Sequence, residues 1–148
     1  MKRSLIIVSI IVVLVIMSLM FVGCNKYSDA IKTKEKYVAA DCTATLYNGT
    51  IEVAAVQASL EELLGIDFYD GLEYALEVSK ERDTKFTNAT TYDGVFFYFK
   101  SRKDAKRAVE AYKERKSGPN GSTIFNDEKV VRKGKVVYMG DDEIYDLI

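Results

Sequence analysis

The sequence predicts one small α+β domain with a largely antiparallel sheet and helices on one face. Segments with strand character occur near both ends of the chain, and helical segments lie between them. A continuous apolar run at residues 95–99 is typical of a central strand that is covered on both faces. The strand–helix–strand order around this run makes a ferredoxin-like fold the nearest analogy. The chain has 148 residues, which is enough for one such core but not for two.

The first predicted elements are a hairpin and a helix. Residues 43–47 and 50–53 have strand character, and the Asn48-Gly49 pair between them is typical of a tight two-residue turn. A helix is expected from about Ser59, because the following residues are rich in Leu and Glu. Gly65 is expected to end this helix.

The middle of the chain is expected to form a second helix, the central strand and a third helix. The second helix is predicted over residues 70–83, where Leu72 and Leu76 lie about one helical turn apart. After the central strand, Ser101 stands three residues before an aspartate, which is the pattern of a helix N-cap. The third helix should end before Gly118, where a cluster of turn residues begins.

The C-terminal part is expected to return to strands and to close with a short helix. The predicted elements are a strand at residues 123–125, a hairpin of residues 130–132 and 136–138 around Lys133-Gly134, and a helix capped by Asp141 or Asp142.

The N-terminus has the three parts of an export signal. Met1, Lys2 and Arg3 supply a short positive region. Residues 5–22 are apolar except for two serines, and a small residue, Gly23, follows them. Because cations are held on the cytoplasmic side while the apolar run inserts, everything after residue 22 is expected to face outward.

The four residues Phe21-Val22-Gly23-Cys24 resemble the lipobox of bacterial lipoproteins. In that family the small residue before Cys marks the cleavage site, and the Cys thiol becomes diacylglyceryl-modified. The resemblance implies that residues 1–23 are a signal peptide and that acylated Cys24 holds the protein on the outer side of the cell membrane. The alternative is an uncleaved membrane helix, since 18 residues lie at the short end of what spans a bilayer.

The remainder of the chain is divided into a tether and a domain. Residues 24–36 are polar and rich in Lys, which predicts a tether, and residues 37–148 are expected to form the folded domain. The lysines of the tether would lie just outside the bilayer, where we expect them to be solvated, with attraction to anionic headgroups as the alternative. If Cys24 carries lipid, Cys42 has no partner for an internal disulfide, and we expect it to be a small buried residue.

The predicted third helix is strongly basic and supplies the main functional hypothesis. Its cations are Lys100, Arg102, Lys103, Lys106, Arg107, Lys113, Arg115 and Lys116. We expect Lys103, Lys106 and Arg107 to contact a membrane or an envelope protein partner, so that the domain acts as a non-catalytic binding or scaffolding module. A solvated outer face balanced by acidic residues elsewhere is the simpler alternative.

Two other functions are weighed against this one. The first is small-ligand binding, in which the aromatic strand at 95–99 and Tyr112 line a concave pocket. The second is an enzyme that uses carboxylates, for which Glu73 and Glu77 would lie one helical turn apart. Such an enzyme requires two acids that converge in a cleft, and the sequence indicates no cleft.

Several classes of function are excluded by what the chain lacks. It has no His, so a Ser-His-Asp triad is impossible, and no glycine-rich phosphate loop is present. The acidic residues at 141–146 lack the spacing of a calcium loop, so no metal or other cofactor is expected. Residues 94–112 resemble part of an RNA-recognition motif but lack its leading cation. Since the net charge is −1, we expect no nucleic-acid binding.

Overall fold

The fold is an α+β domain built on one antiparallel sheet, as predicted. The computed structural model describes residues 27–69, 71–82, 91–119 and 128–148. Within them the sheet has the strand order β1-β2-β3-β5-β4, and every pairing is antiparallel. The elements in chain order are α1 (Ala30–Ala39), β1 (Thr43–Tyr47), α2 (Thr50–Leu64), β2 (Leu72–Glu81), β3 (Thr91–Phe99), α3 (Arg102–Ser117), β4 (Lys129–Lys133), β5 (Val136–Gly140) and α4 (Asp142–Tyr145).

Helices cover both faces of this sheet, so the expectation of helices on one face is wrong. On one face Phe97 and Phe99 of β3 pack with residues of α2 and α3. On the other face Phe96 and Tyr98 of β3 pack with residues of α1 and α4. Because successive side chains of β3 point to opposite faces and those of residues 95–99 are all apolar, both faces must be shielded from water there. The ferredoxin-like analogy also fails, because β1 and β2, the strands on either side of α2, are direct neighbours, whereas that fold places a third strand between them.

The segment expected to be a tether folds onto the domain instead. Helix α1 begins after Asp29, whose carboxylate accepts hydrogen bonds from the backbone N–H groups of the next turn. Tyr27, Ala30, Thr33 and Tyr37 are buried against the sheet. The domain therefore begins by Tyr27 rather than at residue 37. Ala30, Thr33 and Tyr37 recur at helical spacing and form the buried side of α1. Because exposed lysines lie between them, the composition of this segment alone indicated a polar tether.

The predicted first hairpin is also wrong. Asn48-Gly49 leads from β1 into helix α2, which starts at Thr50 and not at Ser59. The Gly49 N–H donates to a carboxylate oxygen of Glu52 at 3.3 Å, so the turn residues serve the start of a helix. Gly65 ends the helix with a φ of 67°, as expected.

Residues 72–81 form strand β2 where a helix was expected. Leu76 pairs with Phe96, and Ala75 pairs with Phe97, so neighbouring residues face opposite sides of the sheet. The apolar residues fit both a helical and an alternating pattern. Pairing with β1 and β3 on both sides decides between them, because burial against neighbouring strands outweighs local preference.

The later elements agree with the sequence. Strand β3 lies at the centre of the sheet. The Asp104 N–H donates to Ser101 Oγ at 3.0 Å at the start of α3, which ends at Ser117. Strands β4 and β5 form the predicted hairpin, and α4 closes the chain. The strand expected at residues 123–125 and the leader at residues 1–23 lie outside the described residues.

Candidate functional site

Of the three cations predicted to contact a partner, Arg107 has a structural role. Its guanidinium forms an ion pair with Asp104 at 3.2 Å and donates to the Asp67 carbonyl at 2.9 Å. It also lies over the Phe68 ring, 5.7 Å from the ring centroid. These contacts join α3 to the loop between α2 and β2, so the Arg107 side chain stabilises the packing of the domain.

The other two predicted cations lie on an exposed stripe of α3. Lys103 and Lys113 have no ion pair within the described residues, and Lys106 pairs with Glu110 at 3.5 Å. An exposed pair of this kind contributes about 0–1 kcal/mol, so water or a partner can replace it. All four side chains share one face of the helix, which defines the basic stripe: Lys103, Lys106, Glu110 and Lys113.

A groove of about 550 Å³ lies between helix α2 and the sheet. Val95 and Phe97 of β3 line it, so the aromatic strand reaches a concave surface as the ligand-binding hypothesis requires. Tyr112 does not line it and is only 3% exposed, because it lies on the buried side of α3 and packs into the core. The remaining lining residues are Tyr47, Glu52, Ala55, Val56, Ser59, Leu60, Leu63 and Glu77.

The polar groups of this α2 groove carry negative charge. Among the described residues that line it, Glu52 and Glu77 are acids and none is a cation. The Tyr47 hydroxyl donates to a carboxylate oxygen of Glu77 at 2.7 Å. This hydrogen bond to Glu77, together with partial burial, raises the pKa of Tyr47. The groove therefore combines an apolar floor with two carboxylates, which suits an apolar group that carries a positive charge.

Sequence reasoning did not identify the α2 groove, because it assigned the start of α2 to a strand. Val56, Leu60 and Leu63 recur at helical spacing, and this spacing was the available signal. What no local pattern shows is that this helix lies across Val95 and Phe97, which are far away in sequence.

A second cavity, of about 660 Å³, lies at the end of the sheet next to the start of α1. Its lining mixes acids and bases, including Asp29, Glu73, Arg102 and Lys135. Tyr98 also lines it, and burial raises the pKa of its hydroxyl to about 12 against a smaller opposing effect of the Thr33 hydroxyl. The mixture of charges indicates no particular ligand class.

The structure separates the two carboxylates considered for catalysis. Glu73 lines the cavity at the end of the sheet, whereas Glu77 lines the α2 groove. Because β2 is a strand, four residues span about 13 Å instead of one helical turn. These two acids do not converge on a common substrate position.

Cys42 and the C-terminal acids Asp142 and Asp146 make contacts within the domain. Cys42 is buried, as expected, and burial raises the pKa of its thiol, which disfavours the reactive thiolate. Asp142 and Asp146 both form ion pairs with Lys129, at 3.2 and 3.0 Å. No group of residues suited to holding a metal ion occurs in the described part of the chain.

Comparison of the chain with protein-family models, with curated proteins and with solved structures finds no significant match. Within residues 27–69, 71–82, 91–119 and 128–148, no helix combines the length and apolar character needed to cross a bilayer.

Proposed function

We propose that this protein is an extracytoplasmic lipoprotein, held on the cell membrane by acylated Cys24, whose domain is a non-catalytic binding module. The anchor is supported by the Gly23-Cys24 pair at the end of a long apolar run behind three residues that supply positive charge. The binding role is supported by a folded domain that offers a groove but no converging catalytic groups among its described residues.

The α2 groove is the proposed binding site, and its ligand is a small amphipathic cation. One observation carries this proposal, namely an apolar groove whose charged lining residues within the described chain are Glu52 and Glu77. The apolar body of such a ligand would contact Val95, Phe97 and α2. Its cationic group would lie near the two carboxylates, which are exposed, so that each attraction is that of a surface ion pair.

The first test measures binding of dansylcadaverine, a fluorescent apolar amine. Glu77→Gln removes one carboxylate charge but keeps the size of the side chain. We expect binding to weaken about two- to fivefold, which corresponds to about 0.5–1 kcal/mol for an exposed charge. Glu62→Gln is the matched control, since Glu62 is exposed on α2 outside the groove lining and should leave the affinity unchanged.

An anionic dye of similar size separates charge recognition from simple hydrophobic binding. Anilinonaphthalene sulfonate should bind the wild type more weakly than dansylcadaverine does. Glu77→Gln should reduce this difference in affinity between the two dyes. Equal affinity for both dyes, unchanged by Glu77→Gln, would show that the groove does not select cations.

A second binding surface is proposed on the basic stripe of α3, with an acidic envelope protein as partner. Lys103 and Lys113 favour this proposal, because both are exposed and lack an ion pair within the described residues. Several neighbouring cations increase the association rate with an acidic surface at low ionic strength. Arg107 is left out of this surface because its contacts are internal to the domain.

Site-specific photocrosslinking in intact cells tests this second surface. A photoreactive residue at Glu114, which is exposed beside the stripe, should form an adduct with the partner. We expect Lys103→Glu/Lys106→Glu to abolish most of the adduct, because both cations then repel an acidic surface. Lys133→Glu/Lys135→Glu, an equal charge change at the exposed turn between β4 and β5, should leave the adduct in place. An adduct that survives the α3 reversal would contradict the assignment.

A further inference from the structure

Helix α1 presents an outer face that combines exposed aliphatic side chains with lysines. Ile31 is 61% exposed and Val38 is 53% exposed, although both belong to a helix whose opposite side is buried against the sheet. They lie two helical turns apart and therefore share one side of α1. The charged residues of this helix are three lysines, Lys32, Lys34 and Lys36, and one acid, Glu35, which lies on the side of Ile31 and Val38, so the helix carries a net positive charge. Exposed aliphatic groups on a helix of net positive charge are typical of a helix that lies in a membrane interface.

The position of Cys24 limits how far α1 can lie from the membrane. Tyr27 is 2% exposed, and its ring lies 4.9 Å from that of Phe96 and 5.0 Å from that of Tyr145. Its hydroxyl donates to the Tyr145 carbonyl. A chain extends by at most about 3.6 Å per residue, so Cys24 lies within about 11 Å of Tyr27. A lipid on Cys24 thus holds the domain at the bilayer surface without a spacer.

We propose that the outer face of α1 rests on the anionic surface of the same bilayer in which Cys24 is anchored. This inference rests on the proposed acylation of Cys24. Ile31 and Val38 would enter the headgroup region, and the lysines would contact anionic headgroups, each contributing about 1 kcal/mol when it lies near the surface. Contact of α1 with the bilayer, in addition to the lipid on Cys24, then fixes the orientation of the whole domain relative to the membrane.

This orientation separates the membrane from both proposed binding surfaces. The α2 groove and the basic stripe of α3 belong to the opposite face of the sheet from α1. Packed layers are about 10 Å apart, so the stripe lies roughly 20 Å from α1. That distance exceeds the Debye length of about 8 Å at physiological ionic strength. The cations of α3 are therefore directed toward soluble or envelope partners and away from the anchoring bilayer.

The test compares two exposed isoleucines on opposite faces of the sheet in the full-length acylated protein. Ile31 lies on α1, and Ile51, which is 86% exposed, lies on α2. Each is changed to Cys in a Cys42→Ala background, labelled with bimane and reconstituted into phosphatidylcholine–phosphatidylglycerol vesicles. Nitroxide-labelled lipid in the same vesicles quenches a fluorophore that lies at the headgroup level. The unsubstituted Cys42→Ala protein measures any label on Cys24.

We expect the Ile31→Cys label to lose about half of its fluorescence and the Ile51→Cys label to lose almost none. Lys34→Glu/Lys36→Glu should reduce the quenching at residue 31, whereas Lys103→Glu/Lys106→Glu should not. Equal quenching at both positions, or stronger quenching at residue 51, overturns the orientation while leaving the anchor in place. A wild-type protein that takes up no fatty acid overturns the proposed acylation itself, and with it this inference.

Discussion

Replacing Cys24 with serine is expected to abolish incorporation of labelled fatty acid into the protein completely. The proposed diacylglyceryl group is attached through the Cys24 thiol. The sequence contains one other cysteine, Cys42. Each buried CH₂ contributes about 0.8 kcal/mol, so two long acyl chains stabilise membrane attachment by on the order of 20 kcal/mol. Metabolic labelling and intact-mass measurement of the mature N-terminus report the change directly.

Cys42→Ser is the matched control for this experiment. Cys42 is buried, with its thiol donating to the Ala40 carbonyl, so its replacement should leave the fatty-acid label unchanged. The alternative of an uncleaved membrane helix makes the opposite prediction for the wild type. In that case the wild-type protein would retain residues 1–23 and carry no label, and Cys24→Ser would behave like it.

Replacing Phe96 with alanine is expected to cost about 3–5 kcal/mol of the free energy of unfolding. Phe96 is fully buried at the centre of the sheet. Its ring contacts those of Tyr27, Tyr37 and Tyr138, with centroid separations of 4.9, 5.6 and 4.7 Å. Since a domain of this size is stable by about 5–15 kcal/mol, this one substitution removes a large part of the total. Urea denaturation followed by circular dichroism measures the loss.

Tyr74→Ala is the control for the loss of an aromatic ring from the same face. Tyr74 is 36% exposed, so its removal should cost much less than that of Phe96. Because Tyr27 and Tyr37 bring α1 onto Phe96, the Phe96→Ala protein should also be cleaved faster by trypsin at the lysines of α1. A loss of stability no larger than that of Tyr74→Ala would mean that this aromatic cluster does not hold the domain together.

The sequence identified elements whose signals are local. Ser101 accepts a hydrogen bond from the helix that it caps, Gly65 ends α2 in the left-handed conformation, and Gly134 has a φ of 64° in the last hairpin. These residues act through contacts within a few positions of the chain, so their effect is visible without the fold. The same holds for the apolar run of β3, which predicted a central strand.

The errors occur where a segment fits two local patterns. Leu72 and Leu76 fit a helix and a strand equally well, and only the pairing of Leu76 with Leu46 and Phe96 selects the strand. Asn48-Gly49 suits a hairpin, yet the apolar residues of α2 are buried only when a helix follows it. Intrinsic preferences amount to tenths of a kcal/mol per residue, whereas burial of one large side chain contributes about 1.5–3 kcal/mol.

For the candidate site as well, features that depend on neighbouring residues were predicted from the sequence, and features that depend on distant residues were not. Composition and order along the chain were enough to predict the α+β class, the exposed basic helix and the resemblance at Cys24, since each depends on residues close together in sequence. Only the tertiary structure decided that Arg107 belongs to the fold, that α2 and β3 enclose a groove with Glu52 and Glu77, and that α1 covers the opposite face. These features join residues that are distant along the chain, and the free energy that brings them together comes from burial, which no local pattern records.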